Sequence, residues 1–253
     1  MKPEFKSRLL KVLRRLEAQY PDAHCALRHR NAFELMVATI LSAQCTDERV
    51  NKTTPLLFER LPDPQAMASA TLSEIEGLIH SCGFYRQKAK SLRETSRELV
   101  EKFEGQVPDR IEDLTQLRGI GRKTANVILG EIYGRPAGIV VDTHVKRLSR
   151  LLGFTRQREP EKIEADLNSK VPIGKWRLYS HWLITHGRQV CKARQPQCQD
   201  CFLLDLCPRN GLKGRLKPAR PKIGPPSTKL VAKRNRAERA KNSRLSRLAS
   251  KSK

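Results

Sequence analysis

The sequence has no long apolar run and few aromatic residues. Phe, Trp and Tyr make up 5% of its 253 residues, and no stretch approaches the roughly 18 to 20 apolar residues that a membrane span requires. Residues 1–20 carry many charges without an uninterrupted apolar segment behind them, which argues against a signal peptide. The sequence therefore excludes a membrane protein and predicts a soluble, cytoplasmic one.

The sequence also lacks the period-two alternation of apolar and polar residues that marks β-strands, and residues 138–141 are the one brief strand candidate. Apolar residues instead recur at helical spacing, with short Pro or Gly breaks between segments. We therefore expect an all-α protein whose helices form more than one cluster. The predicted helices are residues 1–20, 32–43, 47–60, 72–81, 87–103, 111–117, a segment through Val145 and Leu152, and 175–190.

Acidic residues are scarce relative to basic ones. The chain has 50 Lys and Arg against 26 Asp and Glu, a formal net charge of +24. Residues 212–253 hold 15 of the basic residues and a single acid, Glu238, so the rest of the chain has a net charge of +10. Such an excess favours a polyanionic partner, because each neutralised phosphate releases counterions. A basic surface that serves only solubility is the alternative.

The C-terminal segment, residues 212–253, is rich in Pro, Lys, Arg, Ser and Ala and has almost no aromatic residues. This composition predicts a disordered tail. A nonspecific DNA tether and a solvated tail without a defined role are both compatible with it, and membrane contact is less favoured.

A glycine-rich stretch, Leu117 to Ala125, joins two predicted helices. It differs from a nucleotide-binding P-loop, which follows a strand and has another glycine five residues before its Gly-Lys pair. Gly119 and Gly121 allow close backbone approach to a ligand, and Lys123 follows at the start of the next helix. The pattern predicts a helix-hairpin-helix that holds a phosphate oxygen with backbone N–H groups, with a plain Gly-rich linker as the alternative.

Four of the seven cysteines form the pattern Cys-x6-Cys-x2-Cys-x5-Cys. Close spacing of four thiols in a long chain of this kind favours a metal centre over disulfides. Zinc usually takes two Cys-x2-Cys pairs, whereas only one is present, so the spacing favours an iron–sulfur cluster over zinc. We expect the other three cysteines, Cys25, Cys45 and Cys82, to pack in apolar surroundings. The predicted ligands are Cys191, Cys198, Cys201 and Cys207.

In combination, these motifs resemble endonuclease III, a family of bacterial DNA glycosylases with AP lyase activity in the helix-hairpin-helix superfamily. The resemblance rests on the hairpin with Lys123, Val-Asp-Thr-His at 141–144, Leu-Ser-Ala-Gln at 41–44 and the cysteine pattern, and it covers about residues 3–210. It implies a [4Fe-4S] cluster and removal of oxidised pyrimidines from double-stranded DNA. Strand cleavage 3′ to the abasic site would follow by β-elimination through a lysine Schiff base.

The resemblance also implies two helical domains that flank a DNA-binding cleft. A six-helix barrel domain would span residues 24–137 and contain the hairpin at about 111–132. The cluster domain would combine residues 1–23 with residues 138–211. We further expect a monomer that associates with the nucleoid.

Residue roles follow from the same resemblance. Lys123 would be the nucleophile, and Asp142 the proton acceptor that also stabilises positive charge on the sugar, although Asp142 is equally suited to cap a helix. Phe84 would insert into the DNA together with Gln44, with core packing as the alternative for Phe84. Lys192 and Arg194 would bind phosphates from the cysteine loop or be ordinary solvated charges. The predicted DNA contacts are Gln44, Phe84, Arg118, Gly119, Gly121, Arg122, Thr124, His144, Lys192 and Arg194.

The sequence departs from the family pattern at two positions. Arg118 stands where proline is common, and Cys45 where small residues are common. Adenine-specific mismatch glycosylases share the cluster and the hairpin but lack this lysine and add a large C-terminal domain. This sequence therefore fits that class poorly. A thymine-mismatch glycosylase of the same fold and a noncatalytic iron–sulfur DNA-binding protein are the competing functions.

Overall fold

Eleven α-helices make up most of the part of the chain that the structure, a computed structural model, describes, residues 2–212. The expectation for the basic tail lies outside those residues. The helices are α1 (Pro3–Gln19), α2 (Ala32–Leu41), α3 (Asp47–Arg60), α4 (Pro64–Ser69), α5 (Leu72–Ile79), α6 (Tyr85–Phe103), α7 (Ile111–Leu114), α8 (Arg122–Glu131), α9 (Thr143–Leu151), α10 (Pro160–Asn168) and α11 (Trp176–Gln189).

Capping side chains explain where several helices begin. Asn31, Thr46 and Thr71 each accept a hydrogen bond from a backbone N–H three residues later, at the starts of α2, α3 and α5. Such a bond satisfies one of the N–H groups that the first helical turn leaves unpaired. The helices predicted between residues 32 and 103 consequently begin within about two residues of the observed starts. The short helices α4 and α10, each begun by a proline, were not predicted.

The all-α prediction is confirmed within residues 2–212, where no β-strand is present. The strand candidate at residues 138–141 is irregular chain leading into α9. Among the described residues, the single β-type pairing is an isolated bridge between Cys191 and Pro196. None of the described helices combines the length and apolar character needed to cross a bilayer.

The helices enclose two separate hydrophobic cores. The first core is built by α2 to α8 and includes Leu35, Leu57 and Ile128, all without exposed surface. The second is built by α1 and by α9 to α11, and it includes Val12, Ile163 and Leu183. α1 contributes its buried face to this second core although it precedes the first core in sequence.

A large cleft lies where the two cores meet. Residues of α8 from the first core and residues of α11 from the second core line it, and the cleft contains about 2100 Å³ of empty space that opens to solvent. Two ion pairs connect the cores: at the cleft wall, Arg188 Nη2 lies 2.7 Å from Asp47 Oδ2, and at a second place Arg122 Nη2 lies 2.8 Å from Glu164 Oε1. The fold therefore brings residues from distant parts of the sequence to one cavity.

Candidate active site and cysteine cluster

The glycine-rich hairpin between α7 and α8 is held against α6. Gly119 has a φ of +81°, a left-handed conformation that strains residues with a side chain. The Thr95 hydroxyl donates to the Arg118 carbonyl, and the Arg118 N–H donates to Glu98 Oε2 at 2.6 Å. The turn is thus anchored on one side by α6.

The other side of the hairpin is open. Gly121 precedes α8 in the N-cap position, with extended backbone, and a Cβ built on it would meet no atom within 4 Å. No local contact requires a glycine there. A glycine at this position leaves room for an anion to approach the unpaired N–H groups at the start of α8, where the helix dipole also favours negative charge.

Lys123 and Asp142 both line the cleft. Lys123 is exposed in the first turn of α8. Asp142 immediately precedes α9, and its Oδ1 accepts a 2.7 Å hydrogen bond from the Val145 N–H. The capping role considered for Asp142 is therefore present. The fold also brings its carboxylate to the cavity that Lys123 lines, so one residue serves both as a helix cap and as a group of the cleft.

Gln44 and Phe84 lie on two adjacent loops. Both have left-handed backbone, with φ values of 53° and 58°, and a Cβ on Gly83 would lie 3.8 Å from the Gln44 carbonyl oxygen. The buried Lys88 amine donates to the Leu41 carbonyl at 2.8 Å, which ties the start of α6 to the end of α2. Phe84 is 66% exposed, so the core-packing alternative for this residue is wrong.

The two arginines of the hairpin are paired with carboxylates in this structure. Arg118 Nε lies 2.8 Å from Glu94 Oε2 on α6. Arg122 makes a forked contact with Glu164 on α10, with Nε to oxygen distances of 3.1 Å and an Nη2 distance of 2.8 Å. These side chains are half-exposed or more, so they also border solvent beside the hairpin.

His144 and Thr124 occupy the first turns of α9 and α8. The His144 Nδ1 atom is buried without a hydrogen-bond partner in the structure. A Cβ on Gly187 would lie 2.4 Å from that nitrogen, so glycine at 187 makes room for the imidazole. Burial lowers the pKa of His144. The charges of Arg147 and Arg188 lower this pKa further, whereas the negative charge of Asp142 acts to raise it.

Two largely buried carboxylates, Glu131 in the cleft and Glu164 on α10, were not predicted from the sequence. Glu131 at the end of α8 contacts His181 Nε2 at 2.6 Å and Arg177 Nη1 at 3.3 Å. Burial disfavours the ionised carboxylate, but these two contacts outweigh it and hold the pKa of Glu131 below its ordinary value. Glu164 is 7% exposed and lies between the buried Ile163 and Leu167 on α10. In the sequence, a carboxylate on an otherwise apolar helix face was the signal that could have singled out Glu164.

The four clustered cysteines surround an apolar cavity with about 450 Å³ of empty space. Among the described residues, no group of three or more His, Cys, Asp or Glu side chains is arranged to hold a single metal ion. Four thiols that line one cavity without a single-ion arrangement fit a multinuclear cluster better than one tetrahedral zinc ion. The donor set of Cys191, Cys198, Cys201 and Cys207 therefore fits an iron–sulfur cluster.

Hydrogen-bond donors lie close to these sulfur atoms. The Leu203 N–H lies 3.4 Å from Cys201 Sγ, and Arg147 Nη1 lies 3.7 Å from Cys191 Sγ. His186 lies between Cys201 and Tyr20. The His186 Nε2 atom is 3.6 Å from Cys201 Sγ, and its Nδ1 atom is 3.0 Å from the Tyr20 hydroxyl. Donors of this kind tune an iron–sulfur cluster and orient its ligands.

Burial raises the pKa of the Cys201 thiol to about 12 and raises that of Cys207. Buried thiols of this kind release their protons when they bind cationic iron, so cluster assembly is coupled to proton release. Lys192 and Arg194 are exposed on the loop between the first two cysteines, which leaves both side chains accessible to a ligand.

Comparisons with known proteins agree with this arrangement. Residues 37–172 match the family described as HhH-GPD superfamily base excision DNA repair protein, and residues 191–207 match the iron–sulfur binding domain of endonuclease III. Endonuclease III of Synechocystis is 52% identical over 203 residues, which are 80% of this chain and 93% of that relative. The chain belongs to the endonuclease III family.

Solved structures of the family have the same fold. A non-covalent endonuclease III–DNA complex and a trapped endonuclease III–DNA covalent intermediate each superpose with a TM-score of 0.77 at 43% identity, over 81% of this chain and 96% of theirs. As a member of this family, the protein is a base excision repair DNA glycosylase with AP lyase activity that binds DNA and carries a [4Fe-4S] cluster.

The two hairpin glycines should respond differently to alanine. Gly119→Ala should lower the free energy of unfolding by about 1 to 3 kcal/mol, because alanine is strained at positive φ. Gly121→Ala should change it by less than about 1 kcal/mol and should instead weaken binding to abasic-site DNA. Denaturant unfolding and fluorescence anisotropy measure the two effects, and equal loss of stability in both variants would contradict the assignment.

Cluster content should depend on the four clustered cysteines alone. Cys201→Ser should abolish stoichiometric iron and inorganic sulfide, because it removes one thiolate ligand from the cavity. Cys25→Ser, at a partly buried cysteine of the first core, is the matched control and should retain both. Iron and sulfide analysis of the purified variants checks this, and a full cluster in Cys201→Ser would show that the ligand assignment is wrong.

Proposed function

We propose that Lys123 is the nucleophile of the glycosylase and lyase reactions. Its position supports this role: the side chain is exposed in the first turn of α8, beside the phosphate-binding hairpin and inside the cleft that Asp142 also lines. The neutral amine would attack the sugar C1′ as the damaged base leaves with the electron pair of the glycosidic bond. The nitrogen then loses a proton and the C1′–O4′ bond breaks, with a proton going to O4′, so the sugar opens and a Schiff base joins Lys123 to C1′. Loss of a C2′ proton from this Schiff base expels the 3′ phosphate with the electron pair of the C3′–O bond.

Asp142 would accept the proton that Lys123 loses and stabilise positive charge that develops on the sugar. Its Oδ1 already caps α9, and this bond fixes the carboxylate at the cavity wall. A carboxylate placed in this way needs no reorganisation as charge develops in the transition state. The helix cap therefore supports the chemical role instead of competing with it.

A continuous set of cleft and loop residues would bind the DNA. The hairpin glycines with the start of α8 would hold a phosphate, while Gln44 and Phe84 would fill the gap left by the flipped nucleotide. Their adjacent loops, strained backbone and the exposure of Phe84 support this assignment. Arg118, Arg122 and Thr124 belong to the hairpin and the first turn of α8, and His144 lies in the first turn of α9, which favours contacts with the neighbouring phosphates.

The cluster would have a structural role, because base hydrolysis and β-elimination transfer no electrons. We propose that the cluster stabilises the loop that carries Lys192 and Arg194. The two hydrophobic cores support a division into domains of residues 24–137 and of residues 1–23 with 138–211. The protein would act as a monomer on nucleoid DNA.

Oxidised pyrimidines such as thymine glycol are the proposed substrates. A panel of duplexes with single defined lesions tests this choice. Excision of oxidised pyrimidines over a thymine–guanine mismatch supports it, and the reverse preference would identify a thymine-mismatch glycosylase instead.

Substitutions at the two catalytic residues should separate chemistry from folding. Lys123→Ala should give no borohydride-trapped adduct on abasic-site DNA, while wild type is trapped. Asp142→Asn should lower the excision rate by about a hundredfold or more, because asparagine cannot accept the proton. It should keep the unfolding free energy within about 0.5 kcal/mol, since asparagine caps helices as well as aspartate does.

Asp142→Ala is the control for the cap, and it should lose about 1 kcal/mol of stability as well as activity. Undiminished trapping by Lys123→Ala, or full activity in Asp142→Asn, would refute the assigned roles.

Phe84→Ala should affect base flipping more than strand cleavage. Excision from a paired lesion should slow by about tenfold or more, because a wedge side chain offsets the cost of unstacking. Cleavage of a preformed abasic site, which has no base to flip, should change less. Ile173→Ala removes another exposed apolar side chain, 68% exposed, and should leave both rates unchanged. Equal slowing of both reactions by Phe84→Ala would argue against a wedge.

Lys192→Ala combined with Arg194→Ala should reduce the salt dependence of DNA binding. If each side chain contacts one phosphate, the slope of log K against log salt should fall by about 1.8. The control combines Lys11→Ala with Arg14→Ala, which removes two exposed charges from α1. An unchanged slope in the loop variant would leave these two residues as solvated charges.

A further inference from the structure

One buried carboxylate connects the two segments that carry the proposed catalytic residues. Glu164 on α10 is 7% exposed, and its oxygens accept hydrogen bonds from Arg122 and Asn126 on α8. Arg122 immediately precedes Lys123, and Asn126 follows it by one helical turn. The carboxylate therefore contacts α8 at the residue just before Lys123 and again one turn after it.

The same carboxylate contacts the segment that leads to Asp142. A Cβ on Gly138 would lie 1.9 Å from Glu164 Oε1, so the backbone at 138 rests against the carboxylate and no other residue fits there without a shift. Four residues further along α10, Asn168 Oδ1 accepts the Ile139 N–H at 3.0 Å. Residues four apart lie on one helix face, and this face of α10 therefore holds residues 138 and 139.

Glu164 also determines how the Asn126 side chain is oriented. Asn126 is 1% exposed, and its Nδ2 lies 3.2 Å from Glu164 Oε1. A carboxylate accepts hydrogen bonds only, so the amide must turn its NH2 group toward Glu164. Its Oδ1 is then left buried without a partner, in a residue that lines the cleft together with Lys123.

We propose that Glu164 is a positioning residue for the reaction: through Arg122, Asn126 and the backbone at Gly138, it sets the place of Lys123 relative to Asp142. This inference rests on the proposed roles of those two residues. In this role Glu164 would act through the residues it contacts and not on the reacting atoms. Its effect is on geometry, and misplacement of reacting groups by about 1 Å costs on the order of a hundredfold in rate.

The test uses Glu164→Gln in the full-length, cluster-containing protein. The variant keeps the side-chain size, removes the charge that pairs with Arg122, and allows the Asn126 amide to turn. At saturating enzyme, the single-turnover rate of borohydride trapping on abasic-site DNA should fall by about ten- to a hundredfold. Affinity for DNA with an uncleavable tetrahydrofuran abasic analogue should stay within about threefold of wild type, since binding and positioning are separate steps.

Arg122→Gln breaks the same ion pair. Because the Arg122 side chain is half-exposed, this variant is expected to fold and gives the test a result even if Glu164→Gln does not fold. It should slow trapping at saturation by a similar factor. The double variant should be no slower than the slower single variant, within about twofold, because the two residues act through one contact. Glu159→Gln on the exposed start of α10, where Glu159 pairs with Lys162, is the matched control and should trap at the wild-type rate.

Absence of trapping in wild type would refute the proposed lyase mechanism itself. Normal trapping in wild type together with a wild-type saturating rate in folded Glu164→Gln would overturn the positioning role alone. A stability loss in thermal unfolding without a change in that rate would likewise reduce Glu164 to a structural contact. Multiplying effects in the double variant would show that the two residues act independently, against the proposal.

Discussion

The site depends on two helix N-termini that open into one cleft. α8 begins after Gly121 and presents unpaired N–H groups beside Lys123, while α9 begins after Asp142, whose carboxylate caps it. The positive ends of both helix dipoles favour anions, so one end suits a DNA phosphate and the other already holds a carboxylate. Because each helix belongs to a different hydrophobic core, the site exists only while the two cores are held together.

Contacts between the cores are consequently functional as well as structural. The Arg122–Glu164 and Arg188–Asp47 ion pairs connect the two cores, and α1 completes the second core from the start of the chain. The four clustered cysteines follow α11 and line one cavity, so a cluster bound there would hold the chain after α11, with Lys192 and Arg194 exposed on its loop. We infer that the cluster and the ion pairs stabilise the structure, whereas Lys123 and Asp142 carry out the chemistry.

Much of this could be predicted from the sequence because the signals are local. Capping residues and helical spacing report on neighbours within a few residues, so α2 and α3 could be predicted from them, and the cysteine pattern in the same way led to the proposed ligand set. The capping role of Asp142 was also visible, since the sequence after it is helical. Glu164 was missed because its partners, Arg122 and Asn126, lie about forty residues away, and α10 is short. The exposure of Phe84 depends on a left-handed residue at the start of α6, which propensity alone does not indicate.

If Lys123 is the nucleophile, its amine forms the covalent bond to DNA. Peptide mapping by mass spectrometry of the borohydride-reduced adduct on abasic-site DNA locates this bond, because reduction fixes the sugar on the amine that attacked. We expect the sugar remnant on Lys123 and on no other amine. A remnant on the N-terminal amine, on Lys88 or on Lys192 would show that another group is the nucleophile.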